Sequence, residues 1–327
     1  MEKLCIVVVN YNSGSRLRKC VSAVLAQSWP EWECIIVDNA SSDDSMAIPE
    51  LADARFKTLL LAQNTGFAAG NNRAFEISDA QWIVTLNPDA YPEPDWLEQL
   101  LAATRRYPNI KVFGCTQLNA LLPELLDGAG DCYHAFGIPW RGSYGERALR
   151  PFPEGEIFGP CAAAAMYDAK LLHELGGFDE DFFCYCEDVD LAFRLRLRGE
   201  RAIQIADAIV HHEGSAITGV ASYFSLYHSA RNRLWTFVKN MPAPLIYLLL
   251  PLHIASSLYL LLRIRKSEMF LPQWRGLLEG VRRLREVLPK RRVEQRQRKI
   301  SNYTLAKSLQ WSIRSLRERK HQVQKLH

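Results

Sequence analysis

The stretch Leu4-Cys5-Ile6-Val7-Val8-Val9, followed by the polar turn Asn10-Tyr11-Asn12-Ser13-Gly14, decides the fold class of this 327-residue chain. Consecutive apolar residues rich in β-branched side chains are typical of a strand that is buried on both faces. Similar stretches recur at 34–37, 56–61 and 83–86, and helical patterns separate them. Alternating strands and helices predict an α/β fold with a doubly wound, mostly parallel sheet flanked by helices.

Polar clusters follow these strands at their carboxyl ends. Asp38 ends the second strand, the loop 64–72 (NTGFAAGNN) follows the third, and Asn87-Pro88-Asp89 follows the fourth. Open α/β sheets bind ligands beyond the carboxyl ends of their strands, so these clusters predict one ligand site. The glycine-containing loop is neither a P-loop nor a dinucleotide fingerprint, and by itself it identifies no ligand.

Asp89 is the first candidate for a metal-binding residue. The proline before it stiffens the turn and fixes the direction of the carboxylate. A carboxylate at a strand end could bind Mg²⁺ or Mn²⁺, which would bridge the two phosphates of a nucleotide sugar. The alternative is an ordinary turn residue, because Asn, Pro and Asp are all common in turns.

A second acidic cluster, Glu187, Asp188 and Asp190, stands about a hundred residues later at the predicted start of a helix. First-turn acids are stabilised by the helix dipole, which is the structural explanation for them. The catalytic explanation makes Asp188 a general base on an acceptor hydroxyl, since neighbouring negative charge raises a carboxyl pKa while the helix N-terminus lowers it.

His211 and His212 end another apolar strand, and either could supply a nitrogen ligand to the same metal. A histidine at such a position is more often a core or surface residue. The residues by themselves do not show whether His211 or His212 would be the ligand.

Five motifs occur in order: VNYN at 9–12, VDNASSD at 37–43, NTGFAAGNN at 64–72, LNPD at 86–89 and EDVDL at 187–191. Together they resemble glycosyltransferase family 2, in its rhamnosyltransferase-like branch, over residues 3–240. The resemblance implies a GT-A fold, a divalent metal (Mg²⁺ or Mn²⁺), a UDP- or dTDP-sugar donor and inversion at the anomeric carbon. It also implies a glycan or lipid-linked acceptor in the synthesis of a cell-surface polysaccharide such as O-antigen.

The resemblance assigns roles to matching positions. It implies that Asp188 is the catalytic base, that Asp89 and His211 bind the metal, and that Glu187 and Asp190 lie on the acceptor side. The donor-binding residues it implies are Asn10, Tyr11, Asp38, Asn64, Gly66, Asn72, Asn87 and Asp89. Asn87-Pro88-Asp89 lacks the first acid of the usual Asp-x-Asp, which leaves one metal ligand fewer, and His212 stays an alternative to His211.

The C-terminal part of the chain differs from the rest in charge. Residues 263–327 carry nineteen Lys/Arg and five Glu, a net charge of +14, while the remainder carries 21 basic and 31 acidic residues, a net charge of −10. This split predicts a glycosyltransferase domain at 1–240 and a basic, helical membrane-association region at 241–327.

Residues 245–262 contain no charged side chain, and as a helix they would be about 27 Å long, marginal for a ~30 Å hydrocarbon core. A single amphipathic helix is predicted from Trp274 to Leu288, with arginines off its apolar face. Lys and Arg flank the apolar segment on both sides, which favours a helix lying on an anionic membrane surface over a spanning one. Packing into the protein core is the remaining alternative. Nucleic acid is not an expected partner, because no reader module accompanies the charge.

Eight cysteines without a CxxC pair, and an N-terminus without a signal-peptide layout, predict the cytoplasmic face of the inner or plasma membrane, with peripheral or monotopic attachment. Two other functions fit parts of the pattern. A nucleotidyltransferase would carry a basic, glycine-rich loop after the first strand, and residues 10–14 are not one. A non-catalytic nucleotide-sugar-binding scaffold would not need both acidic clusters.

Overall fold

The computed structural model describes residues 3–214, 219, 221–319 and 323. The strands are β1 (Leu4–Asn10), β2 (Trp32–Asp38), β3 (Phe56–Leu60), β4 (Trp82–Leu86), β5 (Ala90–Pro92), β6 (Val112–Asn119), β7 (Leu126–Gly128), β8 (Asp131–His134), β9 (Ile138–Arg141), β10 (Gly155–Ile157), β11 (Ala164–Asp168) and β12 (Ala202–His212). The helices are α1 (Ser15–Leu25), α2 (Gly66–Ile77), α3 (Trp96–Arg106), α4 (Ala169–Glu174), α5 (Glu187–Leu197), α6 (Tyr223–Asn240), α7 (Leu245–Arg263), α8 (Phe270–Arg282), α9 (Leu284–Arg296), α10 (Asn302–Ser308) and α11 (Ile313–Glu318).

One sheet organises the described part of the chain. Its order is β10-β12-β6-β11-β4-β1-β2-β3, with β5 beside β12 and β7 beside β6, while β8 and β9 form a separate antiparallel ribbon. The pairs among β1, β2, β3 and β4 are parallel, and so is the pair of β6 and β12. Because β11 runs antiparallel to both β4 and β6, the strands β4 and β6 run in the same direction. The carboxyl ends of β1, β2, β4, β6 and β12 therefore lie along one edge, and the predicted mostly parallel sheet is confirmed.

β1 is buried on both faces, as its sequence predicts. Leu4, Ile6 and Val8 pack against the apolar faces of α1 and α3, and Cys5, Val7 and Val9 pack on the side of α2 and α5. Successive side chains of a strand point to opposite faces, so one strand supplies both cores. Each fully buried Val, Leu or Ile contributes ~1.5–3 kcal/mol, which makes β1 a rigid support for the turn that follows it.

A third core crosses residue 240, the predicted domain boundary. It joins α5 and α6 to the C-terminal helices, and its buried members include Phe193, Trp235, Phe237, Leu249, Val287 and Leu305. The indole Nε1 of Trp235 donates a hydrogen bond to the carbonyl of Gly280, 3.0 Å away. The chain thus passes from the predicted catalytic domain into the C-terminal helical extension without leaving the core.

Two predicted elements differ from the structure. The helical face from Trp274 to Leu288 is divided between α8 and α9, because Arg283 leaves the helical conformation between them. The second is the small-residue run at 158–167, whose sequence favours a strand throughout. β11 begins only at Ala164, where the amide donates back to the carbonyl of Cys161 in a turn. The preceding Pro160 has no N–H to give to a strand ladder.

Candidate active site

A cleft of about 390 Å³ opens at the carboxyl edge of the sheet. The turns after β1, β2 and β4, the β8–β9 ribbon and the segment leading into α5 all contribute to it. Its lining includes Tyr11, Asn39, Asn64, Gly66, Asn87, Asp89, Asp131, Trp140, Arg141, Cys161, Phe183, Tyr185, Glu187, Asp188, His212 and Phe224. Asp89 and Asp188, the two acids that the sequence analysis singled out, therefore face the same cavity.

Asp89 lies against a histidine at the end of β12. Its Oδ1 is 3.3 Å from Nε2 of His212, and both side chains are almost fully buried. The amide Nδ2 of Asn87 lies 3.4 Å from the same Nε2. Burial opposes the charged imidazolium, but hydrogen bonds to Asp127 and Asp89 outweigh it and raise the pKa of His212 to about 9.

His211, the metal ligand expected from the resemblance, does not line the cleft. Its Nε2 is 3.3 Å from Oε1 of Glu93, and its side chain is partly exposed. Neighbouring residues of a strand point to opposite faces, so only one of the two histidines can face Asp89. The structure places His212 there, the alternative that the sequence left open.

Asp188 lies in the first turn of α5, just after Cys186, which has a left-handed backbone conformation. Its Oδ2 accepts a hydrogen bond from the amide of Ala162 (3.2 Å), and its Oδ1 accepts one from the amide of Val189 (2.8 Å). Burial raises the pKa of Asp188, and these two backbone donors work against that rise. The carboxylate is held in a fixed direction while its affinity for a proton is increased.

The two acids that flank Asp188 have different environments. Glu187 lines the cleft, and burial, followed by the charge of Asp188, raises its pKa well above the usual value. Asp190 is fully buried outside the cleft, where it binds Arg194, Lys239 and Asn240. The position of Asp190 does not support the expected acceptor-side role, because its contacts are those of an internal ion-pair network.

The expected donor-binding residues fall into two groups. Tyr11, Asn64, Gly66 and Asn87 line the cleft together with Asp89. Asn10 and Asp38 lie beside the cleft at the ends of β1 and β2, with Nδ2 of Asn10 donating to Oδ1 of Asp38 at 2.8 Å.

Asn72 lies outside the cleft lining and holds the chain at Phe178. Its Nδ2 donates to the Phe178 carbonyl at 2.8 Å, and its Oδ1 accepts from the Phe178 amide at 2.9 Å. These contacts give Asn72 a structural role and do not support the expected contact with the donor.

Gly66 joins the 64–72 loop to the segment that carries Asp188. Its φ is +87°, and a Cβ at this position would lie 2.5 Å from the carbonyl oxygen of Phe183. The amide of Ala68 donates to that same oxygen at 3.2 Å. Only glycine allows this close approach, so Gly66 sets the distance between the 64–72 loop and the start of α5.

The sequence analysis missed several residues of the site. Asn39 holds the start of the 64–72 loop by accepting from the amide of Thr65 (2.8 Å) and donating to the carbonyl of Gly66 (3.0 Å). Asp131 and Arg141 reach the cleft from the β8–β9 ribbon. Burial, and then the charge of Asp188, raise the pKa of Asp131 well above its usual value.

These ribbon residues come from the loosely patterned part of the sequence before residue 160, where short strands give no clear periodicity. The acids that flank the glycine-rich turn in LDGAGD (126–131) were the available signal.

The residues beside Asn87 fit a divalent cation. Asp89 offers a carboxylate oxygen and His212 an imidazole nitrogen, 3.3 Å apart. Two ligands at ~2.1 Å from one ion and at right angles to each other would be separated by about 3 Å. Among the described residues, no group of three or more His, Cys, Asp and Glu side chains forms a complete metal cage. Such a two-residue site suits an ion that takes its other ligands from substrate phosphates and water.

Comparison with known proteins assigns this architecture. The sequence model of glycosyl transferase family 2 matches residues 5–176. The chain is 26% identical over 267 residues to N-acetylglucosaminyl-diphospho-decaprenol L-rhamnosyltransferase of Mycobacterium tuberculosis, covering 70% of this chain and 82% of that protein. It is 27% identical over 232 residues to the O-antigen biosynthesis protein RfbC of Myxococcus xanthus, covering 65% of this chain and 18% of that protein.

Solved structures share the fold. GalNAc-T7 with UDP, GalNAc and Mn²⁺ superposes with a TM-score of 0.60 at 13% identity, covering 73% of this chain and 48% of that one. The mannosyltransferase PcManGT of Pyrobaculum calidifontis, in complex with GDP-Man and Mn²⁺, gives a TM-score of 0.54 at 18% identity, covering 93% and 85%. The predicted GT-A fold is confirmed.

Proposed function

Because the chain belongs to glycosyltransferase family 2 and is a glycosyltransferase, we propose that it moves a sugar from a UDP- or dTDP-sugar to a glycan or lipid-linked acceptor, with inversion at the anomeric carbon. The observation that carries this proposal is the shared cleft of Asp89 and Asp188. Rhamnose is the proposed sugar, since the M. tuberculosis relative is named as a rhamnosyltransferase. The proposed setting is the synthesis of a cell-surface polysaccharide.

Asp188 acts as the general base in this proposal. The acceptor hydroxyl loses its proton to the carboxylate while its oxygen bonds to the anomeric carbon. The bond from that carbon to the diphosphate oxygen breaks, and its electron pair leaves with the nucleoside diphosphate. Burial favours this role, because it raises the pKa of Asp188 and so strengthens the base, while the amides of Ala162 and Val189 keep it aimed.

Asp89 and His212 would hold the divalent cation, Mg²⁺ or Mn²⁺. When bound, such a cation neutralises charge that develops on the departing diphosphate. Tyr11, Asn39 and Asn64 line the donor side of the cleft and would contact the nucleotide part of the sugar donor.

The test of the base is Asp188→Asn, which keeps the size of the side chain and removes its ability to take a proton. We expect transfer to fall by at least ~10²–10⁴-fold, the usual contribution of a positioned base. Donor affinity, measured by calorimetry with UDP and with dTDP in the presence of Mn²⁺, should change less than about twofold, since the base does not hold the donor.

Asp207→Asn on β12 is the matched control, because Asp207 is exposed and lies outside the cleft. Turnover of Asp188→Asn near that of the control would remove Asp188 from the role. Donor binding without transfer or hydrolysis in the unmodified protein would favour the scaffold alternative.

Membrane association is the second part of the proposal, and it concerns α7. Among the described residues, α7 is the one helix long and apolar enough to cross a membrane by length and composition. One face is covered by the protein, with Nδ1 of His253 2.8 Å from the carbonyl of Phe136 and its ring stacked on Phe237. The opposite face is apolar and exposed at Tyr247, Leu248, Leu252, Leu258, Tyr259 and Leu262.

These contacts favour a helix that lies in the cytoplasmic membrane interface over one that spans it. His253, in the middle of α7, contacts the loop between β8 and β9. If α7 crossed a bilayer, this contact between α7 and the loop would be broken. A cavity of about 440 Å³ near the start of α7 is lined by Arg291, Arg292 and Arg298. Their positive charges suit anionic headgroups next to an inserted apolar face.

The test is vesicle flotation of the double variant Leu248→Glu/Leu258→Glu with phosphatidylglycerol-containing liposomes. Each leucine removed from the interface costs about 2 kcal/mol of transfer free energy, so the pair costs about 4 kcal/mol and binding should fall about 10³-fold. Leu60→Glu/Ile77→Glu is the matched control, since those side chains are equally exposed but lie outside the C-terminal helices. Equal flotation of the two double variants would contradict the proposal. Substitution is preferred to truncation because residues beyond 240 complete the third core.

A further inference from the structure

Behind His212 lies a buried carboxylate that the proposed mechanism does not use. Oδ2 of Asp127, on β7, is 2.7 Å from Nδ1 of His212. The same oxygen accepts a hydrogen bond from Nη1 of Arg141. The side chains of Asp127 and His212 are both at most 3% exposed. The contacts thus run in one line from Arg141 through Asp127 and His212 to Asp89.

We propose that Asp127 is a positioning residue that fixes the ring orientation and tautomer of His212, so that Nε2 would be the nitrogen that binds a cation next to Asp89. This inference rests on the proposed function, because it concerns the same metal site. Ligating histidines commonly donate their second ring N–H to a carboxylate, which orients the ring and makes the ligand nitrogen more basic.

The hydrogen-bond partners select the tautomer. A carboxylate accepts only, so the contact with Asp127 places a proton on Nδ1 of His212. The amide Nδ2 of Asn87 donates only, and it lies 3.4 Å from Nε2. Asp89 is also a carboxylate, but its Oδ1 lies farther from Nε2 (3.3 Å) than Oδ2 of Asp127 lies from Nδ1 (2.7 Å). In the neutral ring the proton therefore stays on Nδ1, at the shorter contact, and Nε2 is the acceptor.

Packing holds Asp127 in place. Arg141 also donates to the backbone carbonyl of Asp127 at 3.4 Å. The Arg141 side chain passes directly over Gly128, where a Cβ would lie 2.5 Å from its Cγ. On the other side, a Cβ at Gly214 would be 3.1 Å from Oδ1 of Asp127. The carboxylate is confined between the β9 strand and the chain just after β12.

The β8–β9 ribbon therefore connects two parts of the cleft. Through Arg141 it supports the metal side, and through Asp131 it reaches the side of Asp188.

The experiment uses the full-length protein with Asp127→Leu and Asp127→Asn. Leucine removes both the charge and the acceptor, whereas asparagine keeps an oxygen that can accept from Nδ1. The Kd of Mn²⁺ is measured by electron paramagnetic resonance of the free ion, in the presence of saturating UDP and, separately, dTDP. We expect Asp127→Leu to weaken Mn²⁺ binding ~10–100-fold, the usual effect of losing such a partner, and Asp127→Asn to weaken it less.

A spectroscopic readout separates positioning from simple destabilisation. The spectra are recorded at about pH 10, because the pKa of His212 is about 9 and the ring must be neutral to have a tautomer. In ¹⁵N-histidine-labelled protein, the His212 ring, identified by its loss in His212→Asn, should then show the Nδ1–H tautomer in the unmodified protein and in Asp127→Asn. Asp127→Leu should shift it towards Nε2–H or a mixture. Should Asp127→Leu fail to fold, Arg141→Met provides the second variant, and it should weaken Mn²⁺ binding in the same direction.

Glu93→Leu is the matched control, because Glu93 pairs with His211, the neighbouring histidine outside the cleft. Its Mn²⁺ affinity should equal that of the unmodified protein. Unchanged Mn²⁺ affinity and an unchanged tautomer in Asp127→Leu would overturn this inference alone. Absence of nucleotide-dependent Mn²⁺ binding in the unmodified protein would instead overturn the metal site of the proposed function.

Discussion

Lys239→Met tests the buried ion-pair network that connects α5 to the C-terminal helices. The ammonium of Lys239 is 2.6 Å from Asp179 and 2.9 Å from Asp190, and all three side chains are at most 7% exposed. Methionine keeps the length of the side chain and removes the charge. After the substitution Asp179 keeps Lys290, and Asp190 keeps Arg194 and Asn240.

Removing one partner of a buried pair costs about 3–5 kcal/mol, because the remaining charge loses its compensation. Since both aspartates keep other partners, we expect the lower end, a loss of about 3 kcal/mol in the free energy of unfolding. An unfolding entropy of ~2.1 cal/mol/K per residue gives ~0.7 kcal/mol/K for this 327-residue chain, so Tm should fall by about 4 °C.

The assay is differential scanning calorimetry at neutral pH, checked by urea unfolding. Arg73→Met is the matched control: its guanidinium lies 2.8 Å from Glu76, and the two side chains are 41% and 62% exposed. An exposed pair contributes at most about 1 kcal/mol, so the control should lose no more than ~1.5 °C. If the two variants lose the same amount, the network does not stabilise the fold as argued here.

Three further outcomes are expected. Burial opposes ionisation of Asp179, but Lys239 and Lys290 outweigh it and hold its pKa well below 3.8. The ionised Asp179 therefore stabilises the fold above its unfolded pKa, and this contribution is lost on acidification. Calorimetry should show Tm falling from about pH 5 to about pH 3, and falling less steeply in Asp179→Asn. Equal dependence of Tm on pH in the two proteins would contradict this. Gly66→Ala should lower Tm more than Gly145→Ala and should reduce transfer. Both glycines have positive φ, but only at Gly66 would a Cβ meet another chain segment, at Phe183. Similar Tm losses in the two variants would show that the contact with Phe183 does not require glycine. Removal of divalent cations with EDTA should abolish transfer and Mn²⁺ should restore it, whereas full activity in EDTA would refute the metal role of Asp89 and His212.

The local sequence was enough to predict the sheet and to identify Asp89 and Asp188 as candidate site residues. The short apolar runs of β1, β2 and β4 are typical of strands buried on both faces, and the carboxyl ends of parallel strands meet at one edge of the sheet. Asp89 and Asp188 stand next to such signals, a strand end and a helix start, so the residues of the proposed chemistry could be named before any coordinates.

Tertiary structure decided what depends on register and on distant contacts. Whether His211 or His212 faces the cleft follows from the pairing of β12 with β5 and β6, and a one-residue shift would exchange them. Asp190 and Asp188 are two residues apart on one helix, yet Lys239 and Asn240, fifty residues further on, make Asp190 a structural residue. Asp127, Asp131 and Arg141 reach the cleft through a ribbon too short to carry a periodic signal. Sequence patterns report which face of an element is apolar, whereas the partner of a buried polar group is set by chain segments that meet only on folding.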